Sequence, residues 1–484
     1  MRLLWTIILM TMFIFKSSFV FSEELLDKPI ELKQKAGCDL KEYCEKYIKD
    51  IDIENFIKEE TKKDYVVVSL DECLDVTLKN NFDIDIKFHE YKSSKYAYQN
   101  ALSKFLPILK TTSYVSDYQG QILVGEVLRR KIHETALSVN ITAEHYLTKG
   151  GEEIFEAKAK KYFQKSRKNL LDFTIEKALY ECSISYYELL LNKIYISIYL
   201  RNLIERNAQL DLAISQEKSG FGTNFDVVRS KSEAQYAKAK LLNVLYNFKT
   251  AQTKLANLMG ISLDTSLMPF EEDVKEINMI DLEKFKVEDL FKLAISNRQD
   301  LKSYKNEINY QKEEKNVILT EFFPKPLISY QQQFQGTLSS NIRPNYILTG
   351  FLEWAPGENL SLGTITKIKA KKEEIRAMQK ELENKTRNIE EKIVNNYSAS
   401  EFSKRGILIT KERIQYAKES VKLAILRFDW GKGILLDVIQ AQSQMTQARV
   451  EYAETVIKYN ISQISLMFET GQLDKEKLIK SYKP

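Results

Sequence analysis

Hydrophobic and polar positions follow two different periods along this chain, and the switches between them divide it. Four stretches carry apolar residues at three- and four-residue spacing among Lys, Glu, Ala and Leu. Glu152–Ser219, Thr223–Met259 and Ile434–Thr470 contain neither Gly nor Pro, and Thr364–Trp430 contains only Gly406. Both residues are costly inside helices, so the pattern predicts helices over 152–219, 224–259, 362–430 and 435–470. The two long ones hold roughly 67 residues each, about 100 Å at 1.5 Å per residue, where an ordinary helix has about 11 residues. Helices of that length need neighbours throughout. Val438, Ala441, Met445, Ala448, Tyr452, Thr455 and Tyr459 supply a heptad-like seam. Val227, Ser230, Ala234, Ala237, Leu241, Val244 and Phe248 supply its counterpart, with small residues towards one end.

Between the helical stretches the period falls to two. Leu137, Val139, Ile141 and Ala143 alternate with Ser138, Asn140, Thr142 and Glu144. Tyr346, Leu348 and Leu352 alternate, less cleanly, with Ile347, Thr349 and Glu353. The predicted strands are 108–121 and 136–147, joined through Gly120 and Gly125, then 327–334 and 345–354, joined through Gly336 and Pro344. About ten alternating residues make a tilted transmembrane strand with a lipid face and a lumen face; a soluble antiparallel sheet is the alternative. Tyr114, Tyr118, Tyr146, Tyr330, Tyr346 and Trp354 are candidate interfacial aromatics. Four strands cannot close a barrel, and an open edge cannot sit in lipid with its backbone unpaired, so a membrane role demands association of several chains.

The pattern is written twice. Gly220, Gly222, Asp226, Val227, Ser232, Ala237 and Gly260 match Gly431, Gly433, Asp437, Val438, Ser443, Ala448 and Gly471 at constant spacing without a gap. Asn80, Asp83, Glu90, Lys95, Phe105 and Pro107 match Asn297, Asp300, Glu307, Lys312, Phe322 and Pro324 in the same way. Recurrence of Gly and Pro, and not only of amphipathic helix pattern, argues for a tandem duplication over about 66–260 and 286–471. Residues 261–285 form a linker and 472–484 a tail.

The amino terminus adds a location. Arg2, an apolar run from Leu3 to Phe15 and small residues to Ser22 read as a secretory signal peptide over 1–22. The run is short for a membrane anchor, the alternative. Residues 23–65 form a Lys/Glu-rich periplasmic extension. Within it Cys38 and Cys44 can form a local disulfide in an oxidising compartment or remain free thiols. The other cysteines, Cys73 and Cys182, stand apart, and His89, His133 and His145 have no metal-ligand spacing. With 72 basic and 67 acidic residues, the Lys and Glu read as solvated faces and nothing points to nucleic acid. No catalytic set, phosphate loop or cofactor motif is visible, so no enzyme activity, metal or cofactor is expected.

Taken together in order, several segments resemble the TolC family of outer-membrane efflux proteins, over about 66–471. They are the helix start SLDECLDVTLKNNFDI, echoed by KVEDLFKLAISNRQDL; the helix-to-strand prolines Pro107 in KFLPIL and Pro324 in EFFPKP; the turn YLTKGGEE; and the paired tips GFGTNFDVVRSKSEAQ and GKGILLDVIQAQSQMTQA. The resemblance implies a mixed α and β fold, mainly α: a homotrimer in which each chain gives four strands to a twelve-stranded transmembrane β-barrel, above a coiled-coil α-helical barrel. It implies a passive exit duct set in outer-membrane lipid. Its partners would be a periplasmic adaptor (membrane fusion) protein and an inner-membrane RND, ABC or MFS transporter, in tripartite efflux or type I secretion. Carried over by position, the adaptor surface would be Gly220, Phe221, Gly222, Thr223, Asp226, Gly431, Lys432, Gly433 and Asp437. The periplasmic aperture would be lined by Asp226, Phe428, Asp437 and Gln440. Here the chain departs from the family: Phe428 stands where a Tyr hydroxyl is expected, Gly433 where an Arg is expected, and Gln440 where a second Asp is expected. The usual hydrogen-bonded lock is therefore missing, and closure must rest on helix packing or on other pairs. Residue-level capping of the helix by Asp226 and Asp437 is the plainer reading of those two positions. A structural or adhesive coiled-coil protein without a pore, a soluble periplasmic adaptor and a secreted enzyme are the rival functions.

Overall fold

The computed structural model describes residues 65–476 and 478, apart from 125–127, 282–283, 338–341, 356, 358 and 360. The expected signal peptide, the bulk of the extension with Cys38 and Cys44, and most of the tail lie outside the described residues.

The chain is mainly helical. In order it forms β1 (Val66–Val68), α1 (Leu70–Asn80), α2 (Phe82–Ser103), β2 (Ile108–Val124), β3 (Leu128–Tyr146), α3 (Glu152–Lys218), α4 (Asn224–Leu258), β4 (Leu267–Pro269), α5 (Val287–Asn297), α6 (Gln299–Leu319), β5 (Lys325–Thr337), β6 (Arg343–Glu353), α7 (Leu362–Asp429) and α8 (Leu435–Glu469). The long helices α3 and α7 have 67 and 68 residues. Each folds back on a 35-residue partner, α3 on α4 and α7 on α8. The shorter pairs are cut by an extended residue at Asn81 and at Arg298, where Asn81 caps α2 through its side chain.

Four of the strands form an antiparallel sheet in the order β2-β3-β5-β6, with β2 and β6 as open edges. Residues paired across antiparallel strands share a face. Leu109 pairs with Ala143, which pairs with Tyr330, which pairs with Leu348. In the same way Val115 and Leu137, Val139 and Phe334, Ile141, Gln332 and Tyr346, and Pro326 and Leu352 fall on that face. Opposite lie Lys110, Thr112, Ser138, Asn140, Thr142, Glu144, Ser329, Gln331, Gln333 and Asn345. One face is apolar and exposed, the other predominantly polar and crossed by the Lys110–Glu144 ion pair.

The connections fall within the expected segments but are shorter, between Val124 and Leu128 and between Thr337 and Arg343, and Gly125 lies outside the described residues. Gly120 lies inside β2 opposite Ile132, Gly336 inside β5 opposite Leu137, and Pro344 inside β6 opposite Phe334. Pro344 is tolerated because β6 is an edge strand, where a missing N–H interrupts no ladder on its outer side. Both hairpins therefore extend beyond the expected strand ends.

The main core sits midway along the molecule. Cys73, Leu74 and Val76 of α1, Cys182, Tyr186, Leu189 and Leu190 of α3, Leu255 of α4, and Leu267 and Met268 of β4 pack together there. The parallel β1–β4 pair and the segment that follows strap the bundle. Lys193 donates to the Pro269 and Glu271 carbonyls. On the other side Asn460 accepts from Ile277 N and donates to Lys275 O, and Gln463 accepts from Met279 N and Ile280 N. Polar α8 side chains thus satisfy the backbone of a strap that has no sheet partner of its own.

No helix among the described residues is long and apolar enough to cross a membrane.

Candidate functional site

Two reversals, one at the end of each long helix, carry most of the residues singled out above. In the first, α3 is capped by Ser219 and Gly220 turns the chain at φ +77°. The Phe221 and Gly222 amides both donate to Gln216 O, at 2.9 and 3.0 Å. A Cβ on Gly222 would lie 3.0 Å from Gln216 Cβ and Glu217 N, so this position has no room for a side chain. Thr223 then starts α4 with a reciprocal cap: Thr223 Oγ1 accepts from Asp226 N, and the Asp226 carboxylate accepts from Thr223 N at 3.3 Å and Oγ1 at 2.6 Å.

The second reversal has the same backbone and different chemistry. Gly431 turns at φ +66°, Lys432 N donates to Arg427 O, and a Cβ on Gly433 would meet Phe428 N at 3.2 Å. The N-cap is Ile434, which has no side-chain acceptor. Asp437 sits half-buried in the first turn of α8, its amide donating to Ile434 O at 3.0 Å and its carboxylate making no hydrogen bond or ion pair among the described residues, and Gln440 is exposed one turn on. The half-buried Phe428 ring precedes the turn, and Lys432 Nζ lies 5.9 Å from the centroid of the exposed Trp430 ring. The Asp226 carboxylate is thus engaged in its own cap, whereas the Asp437 carboxylate has no side-chain partner among the described residues. Pro107 and Pro324 each immediately precede a strand, and Phe323 is extended as the residue before a proline should be.

Three features escaped the sequence reading. The tips carry an apolar crown: Phe221, Phe225, Val228, Trp430 and Ile434 are all exposed, Phe221 at 90%. Next, α7 presents an outward heptad, Phe402, Ile409, Tyr416 and Leu423, and α4 an outward stripe with Phe225, Val228, Leu242 and Tyr246, all exposed in the single chain. Seven-residue spacing is legible in the sequence of α7 but not among these α4 residues.

Last, the seam between α3 and α8 is polar near the tips, although further up Tyr180 stacks on Phe468. Near the tips, Arg206 of α3 is 3% exposed. Its guanidinium donates to Ile439 O at 3.1 Å, to Ser443 Oγ at 2.7 Å and to Gln209 Oε1 at 3.0 Å. Gln209 donates to Gln442, and Asn202 to Thr446 Oγ1 at 3.1 Å. Burial pulls the Arg206 guanidinium below its ordinary range, against the weaker opposing pull of Glu233 and Glu205. By contrast the α3–α4 and α7–α8 seams bury Ala234, Ala237, Leu241 and Val244, and Val438, Ala441, Met445 and Ala448.

Among the described residues no cluster of His, Cys, Asp and Glu has the arrangement to hold a metal ion. What the geometry offers is a long two-hairpin shaft, a sheet with two unlike faces, and two tips that differ in how their helix starts are capped.

No family model matches the chain, and no curated protein matches it in sequence. Solved structures do. The Campylobacter jejuni CmeC outer membrane channel superposes with a TM-score of 0.74 at 14% identity, covering 96% of both chains. CusC, whose crystal structures address conformational changes accompanying folding and transmembrane channel formation, gives 0.73 at 12% identity, over 94% of this chain and 99% of that one. The Neisseria gonorrhoeae MtrE outer membrane channel in its open state gives 0.68 at 15%, over 84% and 90%.

Proposed function

We propose that this chain, which has the fold of outer-membrane channels, is itself one subunit of such a channel: a passive exit duct from periplasm to exterior. One observation carries the reading. A four-stranded sheet with one exposed apolar face, one polar face and two open edges is joined directly to two helical hairpins about 100 Å long. The sheet edges need partners, because unpaired backbone groups cannot face lipid. So do the outward stripes of α4 and α7, which lie on opposite flanks of the α3–α8 seam. Pairing α4 of one copy with α7 of the next joins dissimilar surfaces and closes into a ring. Three copies give twelve strands and six helical hairpins, the number the family resemblance implies. The apolar sheet face then meets outer-membrane lipid and the polar face lines the lumen.

The tips would be the periplasmic entrance. Their apolar crown, with the positions Gly220, Phe221, Gly222, Thr223, Asp226, Gly431, Lys432, Gly433 and Asp437, suits the hairpin tip of a periplasmic adaptor. The adaptor would couple the duct to an inner-membrane transporter that supplies the energy. Asp437 would form a single acidic ring, so cation block should be weaker than with two rings, and the resting entrance leakier.

Single-channel conductance of the purified mature protein in a planar bilayer tests this. Discrete steps are expected, and Asp437→Ala should change both conductance and block by multivalent cations. Detergent-dependent protein that inserts yet gives the same conductance and block in Asp437→Ala would remove Asp437 from the aperture. Protein that stays soluble without detergent and never inserts would instead favour a coiled-coil envelope protein without a pore.

A further inference from the structure

We propose that Cys73 and Cys182 become joined by a disulfide that staples α1 to α3. The inference rests on the channel reading above, which carries the chain through an oxidising compartment. In this structure both are free thiols. They stand far apart in the sequence, yet both are 0% exposed and belong to the same core. Two hydrogen bonds fix how their helices meet. Thr77 Oγ1 of α1 donates to Cys182 Sγ at 3.2 Å. Tyr186 Oη, from one turn further along α3, lies 3.2 Å from Val68 O, just before α1. The two helices are therefore antiparallel, and Cys73, between Val68 and Thr77, faces the turn of α3 that begins at Cys182. Cys73 and Thr77 also share one face of α1, a turn apart. The bond would take the Cys182 sulfur from the Thr77 hydroxyl, which can donate instead to the Cys73 carbonyl one turn back in its own helix.

Burial fixes when the bond can form. The thiolate is the form that attacks a disulfide. Burial pushes the Cys182 thiol up to about 12, against the weaker downward pull of the Thr77 hydroxyl. Burial also pushes Cys73 well above its ordinary value, and Cys182, Glu72 and Glu271 add to the rise. Once the core is packed neither sulfur exchanges, so the bond is made on the unfolded chain, where both thiols are ordinary. The oxidant is the disulfide R–S–S–R of a thiol oxidoreductase. One cysteine thiolate attacks it and displaces the first R–S thiolate; the other cysteine attacks the mixed disulfide and displaces the second. The chain loses two electrons and two protons, and two R–SH carry them away. Cys38 and Cys44, close together in the sequence, are each other's nearest partners, which leaves Cys73 for Cys182. The link closes a loop of about a hundred residues, long enough to restrict the unfolded chain strongly.

The test takes the full-length chain from cell envelopes and traps its thiols with iodoacetamide in denaturant, without reductant. Intact mass and a peptide map are then read. Cys38→Ser/Cys44→Ser should take no alkyl group before reduction and two after it. Its unreduced map should hold one linked peptide pair carrying Cys73 and Cys182. If that variant fails to accumulate, the unreduced map of the parent decides by the same linked pair. Two alkyl groups before reduction, or a parent in which Cys73 or Cys182 is linked to Cys38 or Cys44, would overturn the disulfide. Conductance of the same preparations separates the two readings. Linked Cys73 and Cys182 in protein that never conducts keep the disulfide and remove the channel, whereas free thiols in conducting protein do the reverse.

Discussion

At the scale of single residues, environment and not identity decides what the charged groups do. Burial pushes the Glu176 carboxyl on α3 up to about 7; Arg298 and Lys302 pull it down, while Asp300 and Asp172 push it further up. A carboxyl raised in the folded state favours the protonated form, so its stabilising contribution is complete below its ordinary value of 4.5 and is lost as pH rises through about 7. Glu176→Gln should remove that part of the pH dependence. The thermal midpoint of the parent should fall relative to the variant between those two values, and parallel curves would refute the assignment. Neighbouring Arg298 shows the opposite balance. Burial alone would lower its guanidinium, yet Asp300 and Glu469, at 2.8 and 2.5 Å, hold it up. It also donates to the Glu469 carbonyl, as Asn81 does to Leu258 O, so a side chain closes the end of α8 and of α4 alike. Behind Asn81, Gly260 presses so closely on Asn80 that an added Cβ would fall 2.1 Å from its carbonyl oxygen.

The elements show how far two similar hairpins can differ. Thr223 and Asp226 form a reciprocal cap on α4, whereas Ile434 starts α8 with no side-chain acceptor. Thr223→Ala should cost about 1 kcal/mol locally, seen as faster amide exchange over 224–227 with little change in the global thermal midpoint. Ile434→Thr should do the reverse over 435–438, by adding the missing acceptor. Equal exchange at both tips in the parent would show that the capping difference has no energetic weight. In the sheet, alternation was plain along β3 and weaker along β6. The joining of four alternating strands into one apolar face was not, because a shift of one residue in any pairing would have turned that strand over. The strands run further towards their turns than expected because Gly336 and Pro344 are breakers only in isolation; with cross-strand partners available they sit inside strands.

At the scale of the whole molecule, the proposed assembly of several copies rests on the apolar surface the single chain leaves exposed. Phe402, Ile409, Tyr416 and Leu423 form a stripe on α7 with at least half of each side chain exposed. Contiguous apolar surface of that length marks an interaction site. Ile409→Asp and Tyr416→Asp should dissociate the assembly into monomers in detergent, read by light scattering, and should abolish conductance. Unchanged assembly in both variants would remove α7 from the contact between copies.

Helices, strands, and the doubling of Gly, Pro and Asp positions were open to the sequence because periodicity and chain-breaking are local properties. Solvent and backbone sterics impose them residue by residue. The mainly helical fold followed from 67- and 68-residue runs that have no place in a compact domain. What only the tertiary structure decided was which surfaces meet. It set the register that sorts the sheet into two faces, the strap clamped by Asn460 and Gln463, the polar α3–α8 seam around Arg206, and the outward stripes left on α4 and α7. The strap, the polar seam and the β3–β5 pairing each depend on residues more than a hundred positions apart coming together. A helix writes its own spacing into its sequence, but not the identity of its neighbour, which long-range packing alone selects.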